Sequence, residues 1–469
     1  MSLRRLVYHG AVYGLTTATA RLLNWLLTPL YVHRLPIEEY GRLSELYSWM
    51  VFGLIATGLG METAYFRFAR KDALGATFWR ILGLFLFITV GLNGGIALVV
   101  PVLAPSLGYA GREELLWLTV AIWTVDAWGS FVLAHQRAIG APLRFALIQL
   151  SHVFFFLLMN IWGVGVKGYG LEFILWANLM ASLIRLGWGM AWAPPMRRED
   201  SAPSSSTLLR YGLSIAFMGL LGATNDVLDR ILLARHSLVE TALYGAAYKV
   251  AMALALFVQA YRQAGEPLLL GEYRGDERFF QRSWLLYHGT ALMGLTLLGL
   301  WMRPFLTTTW GGWLRRPIFP EVYHSALGVV PILLWANLLA GSLIQASIWY
   351  KSRVLPVAGL VITGIGSFIT WVGNLYGIPR LGYVASAWTT LAAYGAMVVI
   401  SLTWGYGWRK VLTLFVPLSL PILISIGGTI AGLMLSDPGL EANLLRLVGS
   451  VIAVGGISGT LYSYLSRKR

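Results

Sequence analysis

The sequence predicts an all-α protein that crosses a membrane about fourteen times. Of the 469 residues, 57% are hydrophobic and only 12% are charged, and the apolar residues form long continuous runs. A water-soluble globular chain of this length does not need so apolar a composition. The runs also exclude a membrane β-barrel, because barrel strands alternate apolar and polar residues over about ten positions.

Each predicted helix is an apolar run of about 20 residues, bounded by charges, Gly or Pro, which is the length that crosses a bilayer core about 30 Å thick. The predicted spans are residues 9–33, 43–66, 77–103, 114–136, 145–165, 170–192, 209–234, 241–268, 284–305, 326–350, 354–376, 382–405, 411–434 and 443–465. The stretch APPMRREDSAPSSST between the sixth and seventh spans has the composition of a hinge. This cytoplasmic linker (193–208) therefore divides the fourteen spans into six and eight, with an N-lobe at 1–192 and a second part that begins at residue 209.

Short matching stretches indicate that the two sides of the linker are an internal repeat. Tyr40-Gly41 and Tyr244-Gly245 stand at the start of the second and the eighth span, and GLEFILW at the sixth span matches GYVASAW at the twelfth. Such repeats are common in transporter folds. The spacing predicts that equivalent helices of the two sides run in the same direction.

The basic residues outside the spans predict the orientation. With the N-terminus inside, roughly twice as many Lys and Arg lie in cytoplasmic connections as on the opposite face, which favours both termini in the cytoplasm. The net charge of +15 then reflects topology and contact with anionic membrane lipids, and no nucleic-acid partner is predicted. The first apolar run exceeds signal-peptide length and lacks a small-residue cleavage site, so it is expected to be retained.

Four stretches carry a resemblance to a known family. They are LTPLYVHRLPIEEYGRL closing the first span, LDRILLAR in the seventh, ALYGAAYKVAMALALFVQAYRQAGEPLLL across the eighth, and GIPRLGYVASAWTTLAAYG entering the twelfth. In this order they resemble the polysaccharide transporter branch of the MOP (multidrug/oligosaccharidyl-lipid/polysaccharide) superfamily, the Wzx-type flippases of lipopolysaccharide O-antigen synthesis. The resemblance covers essentially the whole chain. It implies a bacterial inner-membrane transporter, and not an enzyme. It also implies two six-helix lobes around a MATE/MOP-like central cavity, the C-lobe being 209–405, followed by the last two helices and the C-terminus at 406–469.

The resemblance also implies a substrate and a partner. The substrate is an undecaprenyl-pyrophosphate-linked oligosaccharide, moved from the cytoplasmic to the periplasmic leaflet by alternating access. The implied protein partner is the polysaccharide polymerase machinery. No cofactor is implied beyond Na+ or H+ as a coupling ion.

Cations at membrane depth are the candidate ligands of a pyrophosphate. A charge inside the bilayer costs several kcal/mol unless it faces a polar cavity or a partner, and Arg and Lys bind phosphate oxygens well. Arg21, near the middle of the first span, is the strongest candidate. Arg80 and Arg185 lie within about two turns of the cytoplasmic ends and are expected to extend toward the headgroups. With Arg230 and Lys249 they complete the predicted substrate-binding set.

Three acids within the spans are candidates for ion coupling or for a buried network: Asp126, Asp226 and Asp229. In TNDVLDRILLAR, Asp226 and Arg230 are four residues apart and are expected to pair along one helical face. The spare carboxylate is left for a proton, a sodium ion or Lys249. In the resembled family an Asp-Arg pair recurs in this helix, at the positions of Asp229 and Arg230. Either this cluster pins the seventh helix to the eighth, or it couples substrate movement to an ion.

Trp123 and Trp128 flank Asp126 and are candidates for stacking on a sugar, although aromatic belts at the two interfaces explain most of the 20 tryptophans. The seven histidines show no metal-binding spacing and cysteine is absent, so no metal site is predicted. Three alternatives remain. A lipid II flippase would share the cationic cavity, a multidrug/cation antiporter of the same superfamily should line its cavity with acids, and a membrane glycosyltransferase or polymerase would need sizeable aqueous loops.

Overall fold

The chain is helical throughout the part that the computed structural model describes. That part is residues 3–69, 74–195, 203–272, 277–309, 316–353, 355–435 and 439–467. Every regular element in it is a helix, which confirms the all-α membrane fold predicted from the sequence. Within these residues, twelve helical segments are long and apolar enough to cross a membrane.

The helices follow the predicted spans, with shifts of a few residues at their ends. In chain order they are α1 (Leu3–Trp25), α2 (Leu27–Arg34), α3 (Ile37–Gly58), α4 (Met61–Phe68), α5 (Leu74–Leu103), α6 (Glu113–Ala138), α7 (Pro142–Asn160) with a π-helical extension (Ile161–Val166), α8 (Leu171–Ala191), α9 (Ser205–His236), α10 (Leu238–Glu272), α11 (Glu277–Thr307), a 3-10 helix (Glu321–Val329) leading into α12 (Val330–Ala346), α13 (Ile348–Ser352), α14 (Pro356–Leu381), α15 (Tyr383–Tyr406), α16 (Trp408–Phe415), a 3-10 turn (Val416–Leu418), α17 (Ser419–Met434) and α18 (Leu440–Arg467).

The first two predicted spans are interrupted helices, and neither is among the twelve apolar segments. The first breaks at Leu26, between α1 and α2, and the second breaks between α3 and α4. At the second break Leu59 and Gly60 both adopt a positive φ, of 48° and 64°. A left-handed conformation is unfavourable for leucine, so the surrounding packing must hold this bend in place.

The chain packs as two compact units, residues 1–241 and 242–469. In the first unit α6 packs against α3 and α8, α7 lies between α1 and α8, and α9 packs against α3 and α4. In the second unit α15 contacts both α12 and α14, while α11 contacts α17 and α18. The helix α9 thus packs with the first unit, whereas the predicted C-lobe begins at residue 209. The predicted lobes are groups of helices that are expected to move together. Their boundaries stay a prediction.

Glycines let α9 approach the bend in the second span. Gly212 of α9 lies against the carbonyl of Leu59, and Gly60 lies against the carbonyl of Gly212. A Cβ at Gly212 would overlap both the Leu59 oxygen and the Met61 side chain. Backbone therefore contacts backbone here, and small residues at such crossings are what helix packing within a membrane requires.

Substitution of Gly212 by alanine should destabilise the protein, because the backbone of the bend cannot shift without disturbing its left-handed residues. Overpacking of this kind costs about 1–3 kcal/mol. The matched control is Gly222→Ala on the same helix, where an added Cβ meets nothing within 4 Å and alanine is the better helix former. Thermal unfolding of the two variants in detergent tests this expectation, and equal midpoints would contradict it.

Candidate functional site

An ion pair between a buried arginine and a half-buried aspartate joins α6 and α8 inside the first unit. Arg185 is only 7% exposed. Its Nη2 donates to Asp126 at both the carboxylate Oδ1 (2.7 Å) and the backbone oxygen (3.1 Å). Gly129 makes room for the guanidinium, because a Cβ there would lie 2.8 Å from Arg185 Nε. The expectation that Arg185 extends toward the headgroups was wrong, because its charge is satisfied by a carboxylate within the bundle.

Two further polar side chains lie beside this pair. His152 of α7 is close enough to Arg185, and Tyr47 of α3 to Asp126, for electrostatic interaction. Among the described residues, neither ring nitrogen of His152 nor the Nε of Arg185 has a hydrogen-bond partner, although all three atoms are buried. Buried polar atoms normally find partners. The Asp126 cluster, which we define as Asp126, His152 and Arg185, therefore has capacity left for a proton or a water molecule.

Neutral hydrogen bonds tie α5 to the neighbouring helices. The Asn93 amide donates to Thr57 Oγ1 of α3 (3.2 Å) and to Thr124 Oγ1 of α6 (2.7 Å). Thr57 and Asn93 are buried. This arrangement holds α6 in register two residues before Asp126.

The two candidate stacking residues both take part in packing within the first unit. The Trp128 indole N–H donates to Thr89 Oγ1 (2.8 Å). The ring of Trp123 lies directly on Gly53, where any Cβ would overlap it. Both side chains are half-buried, and stacking on a sugar stays a prediction.

A cavity of about 350 Å³ lies within the first unit, bounded by α3, α4, α6 and α9. Ala127 and Ser130 of α6 line it, directly after Asp126 in the chain. Glu62 of α4 also lines it and forms an ion pair with Arg137. The cavity therefore has the carboxylate of Glu62 on its wall, and its lining residue Ala127 directly follows Asp126 in the chain.

A buried carboxylate lies in the first half of α3. Glu45 is 2% exposed and accepts hydrogen bonds from Tyr109 Oη (2.8 Å) and Trp49 Nε1 (3.3 Å). It also forms an ion pair with Arg235 at the end of α9. We call Glu45, Trp49, Tyr109 and Arg235 the Glu45 network. It joins α3 to α9 and to the connection between α5 and α6.

A partly exposed group of charges lies at the same end of α3. Arg112 donates to both carboxylate oxygens of Glu39, at 2.6 and 3.0 Å, and to Glu172 Oε1 at 2.5 Å. The hydrogen bond to Glu39 raises the pKa of Arg112 further above its already high value. This Arg112 network, of Glu39, Arg112 and Glu172, lies entirely within residues 1–192.

The remaining predicted cations have separate locations. Arg21 is half-buried on α1, about one turn before the break at Leu26. Arg80 is exposed on α5 and donates to the Pro203 oxygen (3.1 Å), at the far end of the predicted linker. Lys249 is half-buried on α10, in the second unit.

The acids of α9 lie in different environments. Asp229 is buried, with 1% exposure, and its Oδ1 accepts the backbone N–H of Arg230 (2.8 Å). Asp226 is exposed and Arg230 is half-buried. The predicted pairing of Asp226 with Arg230 stays a prediction.

Sequence reasoning missed three residues that the structure makes prominent. Glu45 and Glu62 were not among the candidate acids, and His152 was considered only as a metal ligand. The available signal was their position, because each falls inside a predicted apolar span, where a polar group requires a partner.

No protein-family profile and no curated protein matches the sequence. Solved structures do match. The lipid II flippase MurJ, in an inward closed conformation, superposes with a TM-score of 0.73 at 12% identity, covering 97% of this chain and 99% of that one. A MATE family multidrug resistance transporter of the MOP superfamily, inward-facing, has a TM-score of 0.64 at 13% identity, covering 85% and 98%. A MATE structure in the straight conformation has a TM-score of 0.64 at 14% identity, covering 87% and 96%. The chain therefore has the fold shared by the lipid II flippase MurJ and the MATE transporters.

Proposed function

We propose that this protein is a flippase that moves an undecaprenyl-pyrophosphate-linked oligosaccharide from the cytoplasmic to the periplasmic leaflet by alternating access. The observation that carries the proposal is the extent of the structural match. The lipid flippase covers 97% of the chain, whereas the MATE structures cover 85% and 87%. The difference between these coverages corresponds roughly to the combined length of α16, α17 and α18. A lipid-linked substrate is thus favoured over a cationic drug.

The second candidate is a lipid II flippase, which the name of the MurJ structure favours. Both substrates would present an isoprenoid pyrophosphate and differ in the glycan. The sequence motifs that resemble the polysaccharide branch favour the oligosaccharide. Parallel transport assays with the two lipids separate the candidates.

Arg21 is the leading candidate ligand of the pyrophosphate. Arg21 lies nearer the middle of its predicted span than the other cations, whereas Arg185 is paired with a carboxylate and Arg80 is exposed and contacts the linker. Arg230 and Lys249 complete the proposed set. The planar guanidinium of Arg21 matches phosphate oxygens better than an ammonium does.

Replacement of Arg21 by alanine should abolish most transport, with Arg21→Lys intermediate. The assay reconstitutes the protein in liposomes and follows the protection of a short undecaprenyl-pyrophosphate-linked glycan from an external probe. The control is Arg380→Ala, which removes an exposed arginine that donates only to the Tyr376 oxygen of its own helix (2.7 Å) in the described contacts. Full transport by a well-folded Arg21→Ala protein would contradict the assignment. Export of a cationic dye, without lipid movement, would favour the antiporter.

We further propose that transport is coupled to an ion, with the Asp126 cluster as a proton site. A proton on Asp126 would neutralise the carboxylate and release Arg185, which would loosen α6 from α8. Sodium held by the acids of α9 is the alternative. Reconstituted transport should respond to a pH gradient in the first case and to a sodium gradient in the second. Indifference to both gradients would reject coupling.

The proposed setting is the bacterial inner membrane, with both termini in the cytoplasm, anionic lipids around the basic connections and polysaccharide polymerase machinery as a partner. Because the chain has no cysteine, single introduced cysteines report sidedness without background. Labelling of a cysteine at position 3 from outside intact cells would contradict this orientation.

A further inference from the structure

The second unit contains a cavity with an amphipathic lining. It measures about 280 Å³ and lies between the first turns of α11, the α16 segment with its 3-10 turn, and the last turns of α18. Arg278 and Arg282 of α11 line one side. Leu412 and Val416 line another, and α18 contributes Leu465. Cationic and apolar side chains therefore meet in one cavity.

The two arginines that line the cavity are neighbours on one helix. Arg278 and Arg282 are four residues apart, so they lie on the same face of α11 about one turn from each other. Both are exposed. Among the described residues that line the cavity, none is acidic. Two guanidinium groups side by side offer the charge-assisted hydrogen bonds that phosphate oxygens accept best.

The apolar side of the cavity is built to meet hydrocarbon. Leu412 is 52% exposed and Val416 is 60% exposed. In the same segment Phe415 packs edge-on against the buried Trp284, with ring centroids 5.7 Å apart. Pro417 lies in the 3-10 turn that connects α16 to α17. Exposed aliphatic groups beside cations are the combination found at the boundary between acyl chains and headgroups.

We infer that this cavity binds one anionic diacyl phospholipid, with its phosphate on Arg278 and Arg282 and the upper part of an acyl chain against Leu412 and Val416. The positive-inside rule places this end of α11 at the cytoplasmic leaflet, where anionic headgroups attract basic side chains. The inference concerns binding of a membrane lipid, and it stands independently of which substrate the protein carries.

The test is retention of phosphatidylglycerol in native mass spectrometry of the full-length protein. Wild type should retain one phosphatidylglycerol in preference to phosphatidylcholine. Arg278→Gln with Arg282→Gln should lower retention by more than about tenfold, since each charge-assisted hydrogen bond contributes more than a neutral one. The charge-matched control is Lys351→Gln with Arg353→Gln, which removes two exposed basic residues outside the cavity. This control should retain the lipid.

A second variant tests the apolar side. Leu412→Ser with Val416→Ser keeps both arginines and should weaken retention of phosphatidylglycerol more than retention of short-chain glycerophosphoglycerol esters. Equal loss in the control pair would mean diffuse surface attraction and would overturn the inference. Displacement of phosphatidylglycerol by undecaprenyl phosphate at equal concentration would also overturn it, because the cavity would then belong to the carrier lipid.

Discussion

Asp126→Asn is expected to destabilise the protein by about 3–5 kcal/mol and to abolish transport. Removal of one partner of a buried ion pair leaves the other charge without compensation. Arg185 cannot become neutral to avoid this cost, because an arginine does not lose its proton in a protein. The intrinsic fluorescence of the 20 tryptophans gives the midpoint of thermal unfolding in detergent, and the liposome assay gives transport.

The reverse variant, Arg185→Gln, should have a smaller effect. The Asp126 side chain is 25% exposed, whereas that of Arg185 is 9% exposed. A carboxylate left alone therefore keeps more contact with water than a guanidinium left alone, and it costs less. Equal losses of stability in the two single variants would contradict this account of the pair.

The double variant, Asp126→Asn with Arg185→Gln, separates a structural from a mechanistic role. With both charges removed no uncompensated charge remains, so the double variant should be more stable than Asp126→Asn alone. Restored stability together with restored transport would make the pair a structural tie between α6 and α8. Restored stability without transport would assign it to the transport cycle, as proposed for the Asp126 cluster.

The sequence predicted the helices well, because each apolar run of membrane length has one stable form in lipid. It did not predict the breaks at Leu26 and Leu59. Breaks of this kind depend on what packs beside them, and Gly212, which approaches Leu59, lies more than 150 residues later in the chain. Hydropathy along the chain carries no information about such a contact.

The candidate site was predicted in part. Asp126 and Arg185 were both recognised as charges at membrane depth, but they are 59 residues apart and nothing in a single sequence links them. The position of Arg185 along its helix led to the prediction that its side chain extends toward the headgroups. That prediction was wrong, because a position along a helix does not reveal which face of the helix is buried. The pairing emerges only when α6 and α8 are packed together, with Gly129 between them.

Cross-linking of positions 45 and 235 is expected to stop transport completely and reversibly. In the predicted lobes Glu45 belongs to 1–192 and Arg235 to 209–405, so under the proposed alternating-access mechanism their ion pair joins helices that separate when the cavity opens outward. A chain without cysteine allows Glu45→Cys with Arg235→Cys to be linked by a short bismaleimide that contains a reducible disulfide. Reduction should restore the activity that the double variant shows before linking.

The matched control is Arg112→Cys with Glu172→Cys, linked by the same reagent. This pair lies in the Arg112 network at the same end of the unit, but both positions fall within residues 1–192, so the link should leave transport intact. The two links then decide how α9 moves. If only the link from 45 to 235 blocks transport, α9 moves with the second lobe and the Glu45 network must break in each cycle. If neither link blocks, α9 moves with the first six helices, as their packing in unit 1–241 allows, and the moving boundary lies beyond residue 241.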